Sequence, residues 1–409
     1  MSNCRFLYHN GVVLEAPPVT TFLESHTGAY TTTRTINNGT SLLFWERHMK
    51  RLSNSIRILL NSKPDLLFSS SGASSASSPR IWMNHHHHHQ PVPYSSIYDL
   101  VNGSMSEALK SVVVNESGRS SYGGEELAVT VLVSGNVEKL NRLEDDDEER
   151  KVLDLLHVSL HIGAYSSGVG ENAASLALVG RGRDVAAAKY SDWVRLRKPL
   201  EKFRPLSTTE LLLSNDGDHL LEGCVTNFFV VCRRVKKSSE NLYGGSLSEF
   251  EVQTAPITDG VLPGVIRDLV IEVCLSKGIP YRERAPSWSD RELWEEAFIT
   301  SSLRILQHVG TIKVPVGSLE ALACNKPEEI QWKEKKFKEG PGMITEVIQL
   351  TYKFIGWLPP REEEWKETKR RKEIGCHHER PPDYHKLSPP QTNASWSYEA
   401  ENLQYEREL

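Results

Sequence analysis

The stretch that most limits what this chain can fold into is LLEGCVTNFFVVC, Leu220 to Cys232. It is short, apolar and dominated by Val, Phe and Thr, so it reads as a buried β-strand. Its entrance holds a carboxylate, Glu222, followed at once by Gly223, and Asn227 stands inside the apolar run. A buried charge needs a partner. No basic residue stands beside Glu222 in the sequence, so a ligand is a candidate for the missing cation.

Around this run the chain alternates between two periodicities. FLYHNGVVLE offers a hairpin about Asn10-Gly11, and GAYTTTRTINNGTSLL a second near Asn38-Gly39. FWERHMKRLSNSIRILL reads as a helix, with Phe44, His48, Arg51/Leu52, Ser55 and Leu59 recurring on one face. SIYDLVNGSMSEALKSVV reads as helix, while LAVTVLVSG and LLHVSLHIGAY read as strands. DVAAAKYSDWVRLRKPLEKF is expected to be helical to about Phe203. ELLLSND turns at Asp216-Gly217 into the Leu220–Cys232 strand, and TDGVLPGVIRDLVIEVCLSKG gives a turn and an amphipathic helix. AFITSSLRILQHVGTI gives a strand, a loop and a strand. Strands interspersed with helices point to a mixed α/β (α+β) fold. The Gly/Ser/Ala-rich stretch from Tyr165 to Gly182 is expected to link two domains, 1–175 and 183–357, followed by a tail, 358–409.

Two segments cannot build a core. SSSGASSASSPR and HHHHHQPVP, within 69–94, read as a disordered insert, and EDDDEE at 144–149 reads as a solvated loop. The tract His85–His89 lacks the fixed geometry of a metal site and reads as loop, so no metal is expected. The net charge of −5 argues against nucleic acid as a partner. No apolar run approaches the ~20 residues needed to span a membrane. Six cysteines without a CxxC pair suggest reduced thiols, and the N-terminus lacks signal-peptide character, so a cytoplasmic protein is expected.

Four features bear on chemistry. The Pro-Gly turn of GVLPGVIRDLV opens a helix near Val265, and a helix N-terminus suits phosphate. TSSLR places hydroxyls between two strands, either to cap a turn or to donate to phosphate oxygens. Arg51 lies on the apolar face of its helix, so it either snorkels or pairs with a buried anion. Lys189 follows three alanines, and a lysine in apolar company has a lowered pKa and can act as a nucleophile. A phosphate pocket, a reactive lysine and a buried acid together describe one cofactor, pyridoxal 5′-phosphate, whose ring nitrogen would be the cation that Glu222 lacks.

The set FWERHMKRL, AAAKYSDW, EGCVTNFFVV, LPGVIR and TSSLR, in that order, resembles the class IV pyridoxal-phosphate-dependent aminotransferases of fold type IV. YTTTRT and SDWVRLRKPLEK bring it nearest to the plant D-amino-acid-aminotransferase-like proteins. The resemblance implies a small N-terminal α/β domain, a larger C-terminal pseudo-barrel and a homodimer. It implies that Lys189 carries the cofactor, that Glu222 faces the pyridine nitrogen, and that Arg51, the backbone of Val265 and Ile266, and the hydroxyls of Ser301 and Ser302 hold the phosphate. Tyr30, Thr31 and Arg34 become the candidates on the substrate side. The implied reaction is transamination between an amino acid, of D- or branched-chain type, and a keto acid. Departures leave two alternatives open. Thr31–Thr32 suits an aminodeoxychorismate-lyase-like enzyme, and Val194, where branched-chain enzymes have tyrosine, suits a non-catalytic binding protein of the same fold.

Overall fold

The structure, a computed structural model, describes residues 6–68, 92–115, 126–141, 152–165, 172–234, 247–317 and 329–355. The Ser/His-rich insert through residue 91, the acidic loop and the 358–409 tail lie outside the described residues. The chain divides into a unit Met1–Glu346 and a second, Val347–Leu409; the elements that follow belong to the first.

Six antiparallel strands make the first sheet, in the order β2-β1-β6-β5-β3-β4. Strands β1 (Phe6–His9) and β2 (Val12–Glu15) form the expected hairpin, with His9 opposite Val12. Asn10 (φ 51°) and Gly11 (φ 81°) are both left-handed, as a two-residue turn of matching twist requires. Strand β3 (Ala29–Ile36) turns through Asn37, Asn38 and Gly39, all at positive φ, into β4 (Ser41–Leu42). Strands β5 (Leu127–Gly135) and β6 (Leu156–Ala164) complete the sheet. Helix α1 (Val19–Ser25) precedes β3; α2 (Trp45–Ser62), the short α3 (Asp65–Phe68) and α4 (Tyr94–Asn115) follow β4.

Helix α2 forms where the three-to-four spacing placed it. Met49, Leu52, Ile56 and Leu59 are fully buried in one core with Val129, Val131 and Val133, alternate residues of β5. Each such side chain contributes about 1.5–3 kcal/mol of burial. The same stripe also buries His48, Arg51 and Ser55, three polar residues that the hydrophobic effect alone would keep out.

The second sheet is a closed ring. Its strands are β7 (Ala174–Gly180), β8 (Glu210–Ser214), β9 (Leu220–Gly223), β10 (Asn227–Arg233), β11 (Phe250–Thr254), β12 (Tyr281–Glu283), β13 (Trp294–Ser301), β14 (Ile305–Pro315) and β15 (Trp332–Lys336). Their order is β12-β11-β10-β13-β14-β7-β8-β9, and β9 pairs back onto β10. Leu176 and Leu178, Phe228 and Val230, Ala297 and Ile299, and Ile312 and Val314 fill one core at strict two-residue spacing. Closure leaves the ring strands no free edge. This is the barrel-like α/β architecture expected from the sequence.

Three local expectations are corrected. Leu220–Cys232 is not one strand: the chain folds back at Cys224-Val225-Thr226, where the Gly223 N–H donates to the Thr226 carbonyl at 2.8 Å. The turn makes Glu222 and Asn227 cross-strand neighbours. Gly223 is required there, since a Cβ would lie 2.2 Å from Thr226 Oγ1. The stretch 184–203 is not one helix but a loop followed by the single turn α6 (Trp193–Leu196) and a 3₁₀ turn Lys198–Phe203. Finally, Ala174–Gly180, inside the stretch read as linker, is the buried strand β7 at the centre of the ring.

Candidate functional site

Lys189 stands on the loop between β7 and α6, and its backbone is anchored by distant partners. Its N–H donates to Ser55 Oγ on α2 at 3.0 Å. Its carbonyl accepts from the Tyr30 N–H at 3.0 Å, and the Ser191 N–H donates to the Gly28 carbonyl at 2.9 Å. These contacts prolong the pairing beside β3, with Tyr190 bridged to Ala29. They consume the groups that a helix would have used, which is why alanine-rich 184–189 is not helical. The backbone also turns left-handed at Val185 (φ 49°). The Lys189 amine lies 4.7 Å from the centre of the Tyr30 ring. Burial pushes its pKa below the ordinary lysine range; Tyr30 opposes this, and Arg51 and Arg183 reinforce it. Burial would raise the Tyr30 phenol, but Lys189, Arg197 and Arg183 outweigh it and lower its pKa.

The acid that opened the question is Glu222, and the chain does supply a cation. Arg183 Nε donates to Glu222 Oε1 at 3.0 Å, with 4% of the arginine side chain and 3% of the glutamate exposed. Oε2 accepts from the Leu262 N–H at 3.0 Å and from Asn227 Nδ2 at 3.4 Å. A carboxylate offers about four acceptor positions, so one remains. Asn227 Nδ2 also donates to the Leu262 carbonyl at 2.9 Å. Asn227 therefore braces the Leu262-Pro263-Gly264 turn against the acid. A Cβ on Gly264 would lie 2.0 Å from Asn227 Oδ1, so this turn accepts only glycine without rearrangement.

That turn leads into α7 (Val265–Lys277), whose N-cap, Gly264, carries no capping side chain. Arg47 on α2 clamps α7 through a bidentate pair with Glu272, at 2.7 and 2.9 Å. The clamp sets Arg51, one turn along α2, towards the first turn of α7, where Asp268 acts on its charge. Arg51 is 8% exposed. Its Nη2 donates to Thr31 Oγ1 at 2.7 Å, its Nε has no hydrogen-bond partner, and no carboxylate among the described residues forms an ion pair with it. Burial pushes this guanidinium down to about 10. Thr31 Oγ1 lies 2.7 Å from His48 Nδ1, and Arg51 Nη2, which can only donate, lies 3.5 Å from the same nitrogen, so Nδ1 is the acceptor and the Thr31 hydroxyl donates to it. His48 is thus a neutral Nε2–H tautomer, its pKa held well below the ordinary value by burial, Arg51 and Lys189. A buried arginine with an idle donor, beside an uncapped helix start, is a site built for an anion.

Lys189 meets Tyr30 and Arg51 meets Thr31; Arg183, the partner of Glu222, acts on the charge of both Lys189 and Arg51, and Val265 and Ile266 begin α7. Ser301 Oγ accepts from the Arg304 N–H at 3.2 Å within the β13–β14 turn, and Ser302 is the next residue of that turn. The turn follows Thr300, the ladder partner of Asn227, whose hydroxyl is buried without a partner. Arg34, four residues beyond Tyr30 on β3, lies 4.7 Å over the Tyr165 ring, and the Tyr165 hydroxyl donates to the Leu303 carbonyl of the same β13–β14 turn at 2.8 Å. Thr31 faces Arg51, and Thr32 bonds Thr130 Oγ1 at 2.9 Å, so both threonine hydroxyls are engaged within the fold. Val194, where a cofactor tyrosine was the alternative, packs with Tyr30 and Leu132. Arg183 and His48 escaped the sequence reading. The signal for Arg183 was only the unpaired acid itself, because nothing in RGRDV marks which arginine reaches it.

The chain matches the profile of the amino-transferase class IV family over residues 103–312. No curated protein matches the sequence with significance. Among solved structures it is similar to a branched-chain aminotransferase from Thermoproteus uzoniensis with norvaline, at 18% identity and TM-score 0.50, over 86% of this chain and 94% of that one. It is similar to an aminotransferase from Brucella abortus bound to the co-factor PLP, at 14% identity and TM-score 0.50, over 87% and 99%. A branched-chain amino acid aminotransferase from Thermobaculum terrenum gives 14%, 0.50, 87% and 95%. At these identities the likenesses concern the fold.

Proposed function

The chain belongs to the class IV aminotransferases, enzymes of pyridoxal-phosphate-dependent transamination, and from that premise we propose the residues that carry the reaction. The observation that supports the reading best is the buried Arg51, whose idle Nε fits a phosphate group, within the electrostatic reach of Lys189. Arg51, the α7 start at Val265 and Ile266, and the hydroxyls of Ser301 and Ser302 hold the phosphate. Lys189 is the amine that carries the cofactor, and Glu222 faces its ring nitrogen.

When bound, the cofactor supplies an electron sink for the charge left when a substrate α-proton departs. The chain supplies the rest. The Lys189 amine, its pKa lowered, takes that proton as a base and returns it as an acid. Glu222 keeps a negative charge where the ring nitrogen sits. Tyr30, stacked beside the Lys189 amine, limits the directions in which that amine can move the proton. The half-buried Arg197, close enough to lower the pKa of the Tyr30 phenol, supplies positive charge on the substrate side, which suits an amino-acid carboxylate. The substrates are an amino acid, of D- or branched-chain type, and a keto acid, and the enzyme works as a homodimer.

The test is an absorbance titration of the purified protein. Adding pyridoxal phosphate should produce a visible band, and L- and D-amino acids should discharge it selectively. Turnover that requires a keto-acid acceptor supports transamination. Pyruvate released without an acceptor indicates the lyase, and a protein that never takes up the cofactor refutes both.

A further inference from the structure

Glu222 already has a cation. Arg183 leaves β7 and reaches it with Nε at 3.0 Å, while Nη2 donates to the Ala186 carbonyl at 3.0 Å. The guanidinium stacks 5.5 Å over the Trp193 ring. Trp193 in turn donates through Nε1 to the Cys224 carbonyl at 2.7 Å, on the turn that joins β9 to β10. Arg183 is therefore fixed at three points, and both it and Glu222 are almost wholly excluded from water. In such a site two cations compete for one carboxylate at full strength, because solvent does not screen them.

We propose that Arg183 is a positioning residue that holds the Glu222 carboxylate aimed before the cofactor binds, and that it then shares the carboxylate with the ring nitrogen, weakening the hold of that nitrogen on its proton. The proposal rests on the reading of Glu222 given above and adds a setting to it: the strength of the electron sink is governed by Arg183 as well as by the acid. A carboxylate facing the ring alone would hold the ring proton harder. A carboxylate divided between two cations holds it less, and Lys189, also within reach of Arg183, is kept more readily deprotonated.

The experiment uses the full-length protein loaded with pyridoxal phosphate labelled with ¹⁵N in the ring, whose nitrogen shift is followed against pH. In Arg183→Gln, which retains a donor without the charge, the ring nitrogen should hold its proton to a pH at least one unit higher, a tenfold change in its protonation equilibrium. Arg183→Lys, which retains the charge but neither the planar fork nor the stacking on Trp193, should shift less than half as far as the glutamine variant. A glutamine variant that binds the label but titrates with the parent overturns the proposal, as does a lysine variant that shifts as far as the glutamine variant. Should the glutamine variant fail to fold, Arg183→Met, neutral and of similar length, decides: a midpoint raised by about a unit supports the proposal, and the parent midpoint overturns it. A parent that shows no bound ring resonance refutes the cofactor reading itself and this inference with it.

Discussion

Replacing Arg51 by Met should change stability in opposite directions in the free and loaded protein. In the free protein Arg51 is 8% exposed, and its hydrogen bonds go to neutral groups, from Nη2 to Thr31 Oγ1 at 2.7 Å and a long one to His48 Nδ1 at 3.5 Å. Burial pushes it down to about 10 from an ordinary 12.5. That difference corresponds to about 3 kcal/mol of penalty for keeping the charge in the fold at neutral pH. Methionine has a similar length and removes the penalty. It also removes a hydrogen bond worth about 1 kcal/mol and leaves Thr31 Oγ1 to His48 alone. The net expectation is a free protein more stable by about 1–2 kcal/mol, which raises its melting temperature by a few degrees. The loaded protein responds the other way. Charge-assisted hydrogen bonds contribute about 1.5–3 kcal/mol each, so losing one weakens cofactor binding by about ten- to a hundredfold and losing two by up to about ten-thousandfold. At a ligand concentration of 100 Kd the parent gains about 2.7 kcal/mol, a gain the variant should lose. Thermal melts with and without pyridoxal phosphate or inorganic phosphate decide the matter. A variant that melts several degrees lower when free, and keeps the ligand-induced rise, would refute the assignment of Arg51 to an anion.

Three further outcomes follow from the same geometry. Lys189→Ala should abolish the visible cofactor band and all turnover while leaving the melt nearly unchanged; a variant as coloured as the parent would show that another lysine carries the cofactor. Gly264→Ala sets a Cβ 2.0 Å from Asn227 Oδ1, so it should cost about 1–3 kcal/mol and weaken cofactor affinity at least tenfold, checked by melting and by absorbance titration; parent values in both would mean that the turn is not braced by Asn227. On the first sheet His9 lies 5.4 Å from His26 and 5.7 Å from His157. Burial, with His9, His26 and Lys139, pushes His157 down to about 4, and burial with His26 lowers His9. Unfolding restores ordinary values near 6.5, so between about pH 6.5 and 4 the unfolded chain binds more protons. Stability should therefore fall as pH drops through that window, by on the order of 1 kcal/mol after screening at these half-exposed sites, and His157→Gln should flatten the curve; an unaltered pH profile of melting would contradict this.

Local chemistry was legible in the sequence wherever neighbours in the chain decide the structure. Asn10-Gly11 turns because both residues tolerate positive φ, and α2 buries the face its spacing marked. The break within Leu220–Cys232 was hidden because Val225 and Thr226 carry strand propensity; the turn exists because Glu222 and Asn227 both bind the Leu262 segment, about forty residues away. The 184–189 loop reads as helix because alanine favours helix locally, whereas Ser55 and Tyr30 claim the Lys189 backbone groups from afar. Lys189, Glu222 and Arg51 could be nominated through motif order. Arg183 could not, since an ion pair between residues 39 apart in the chain leaves no periodicity. Thr31 and Arg34 are nominated by the resemblance; three residues apart on β3 they face opposite ways, Thr31 to Arg51 and Arg34 to Tyr165.

The central claim is that one small molecule is held between the amine at 189, the guanidinium at 51 and the carboxylate at 222. Its most direct test is to load the protein with pyridoxal phosphate, fix the linkage by borohydride reduction, digest the protein and locate the adduct by mass spectrometry. The account predicts a single stoichiometric pyridoxyl adduct on the peptide that contains Lys189, lost in competition with excess inorganic phosphate. An adduct on Lys198, Lys202 or any other lysine, or none at all, would contradict it.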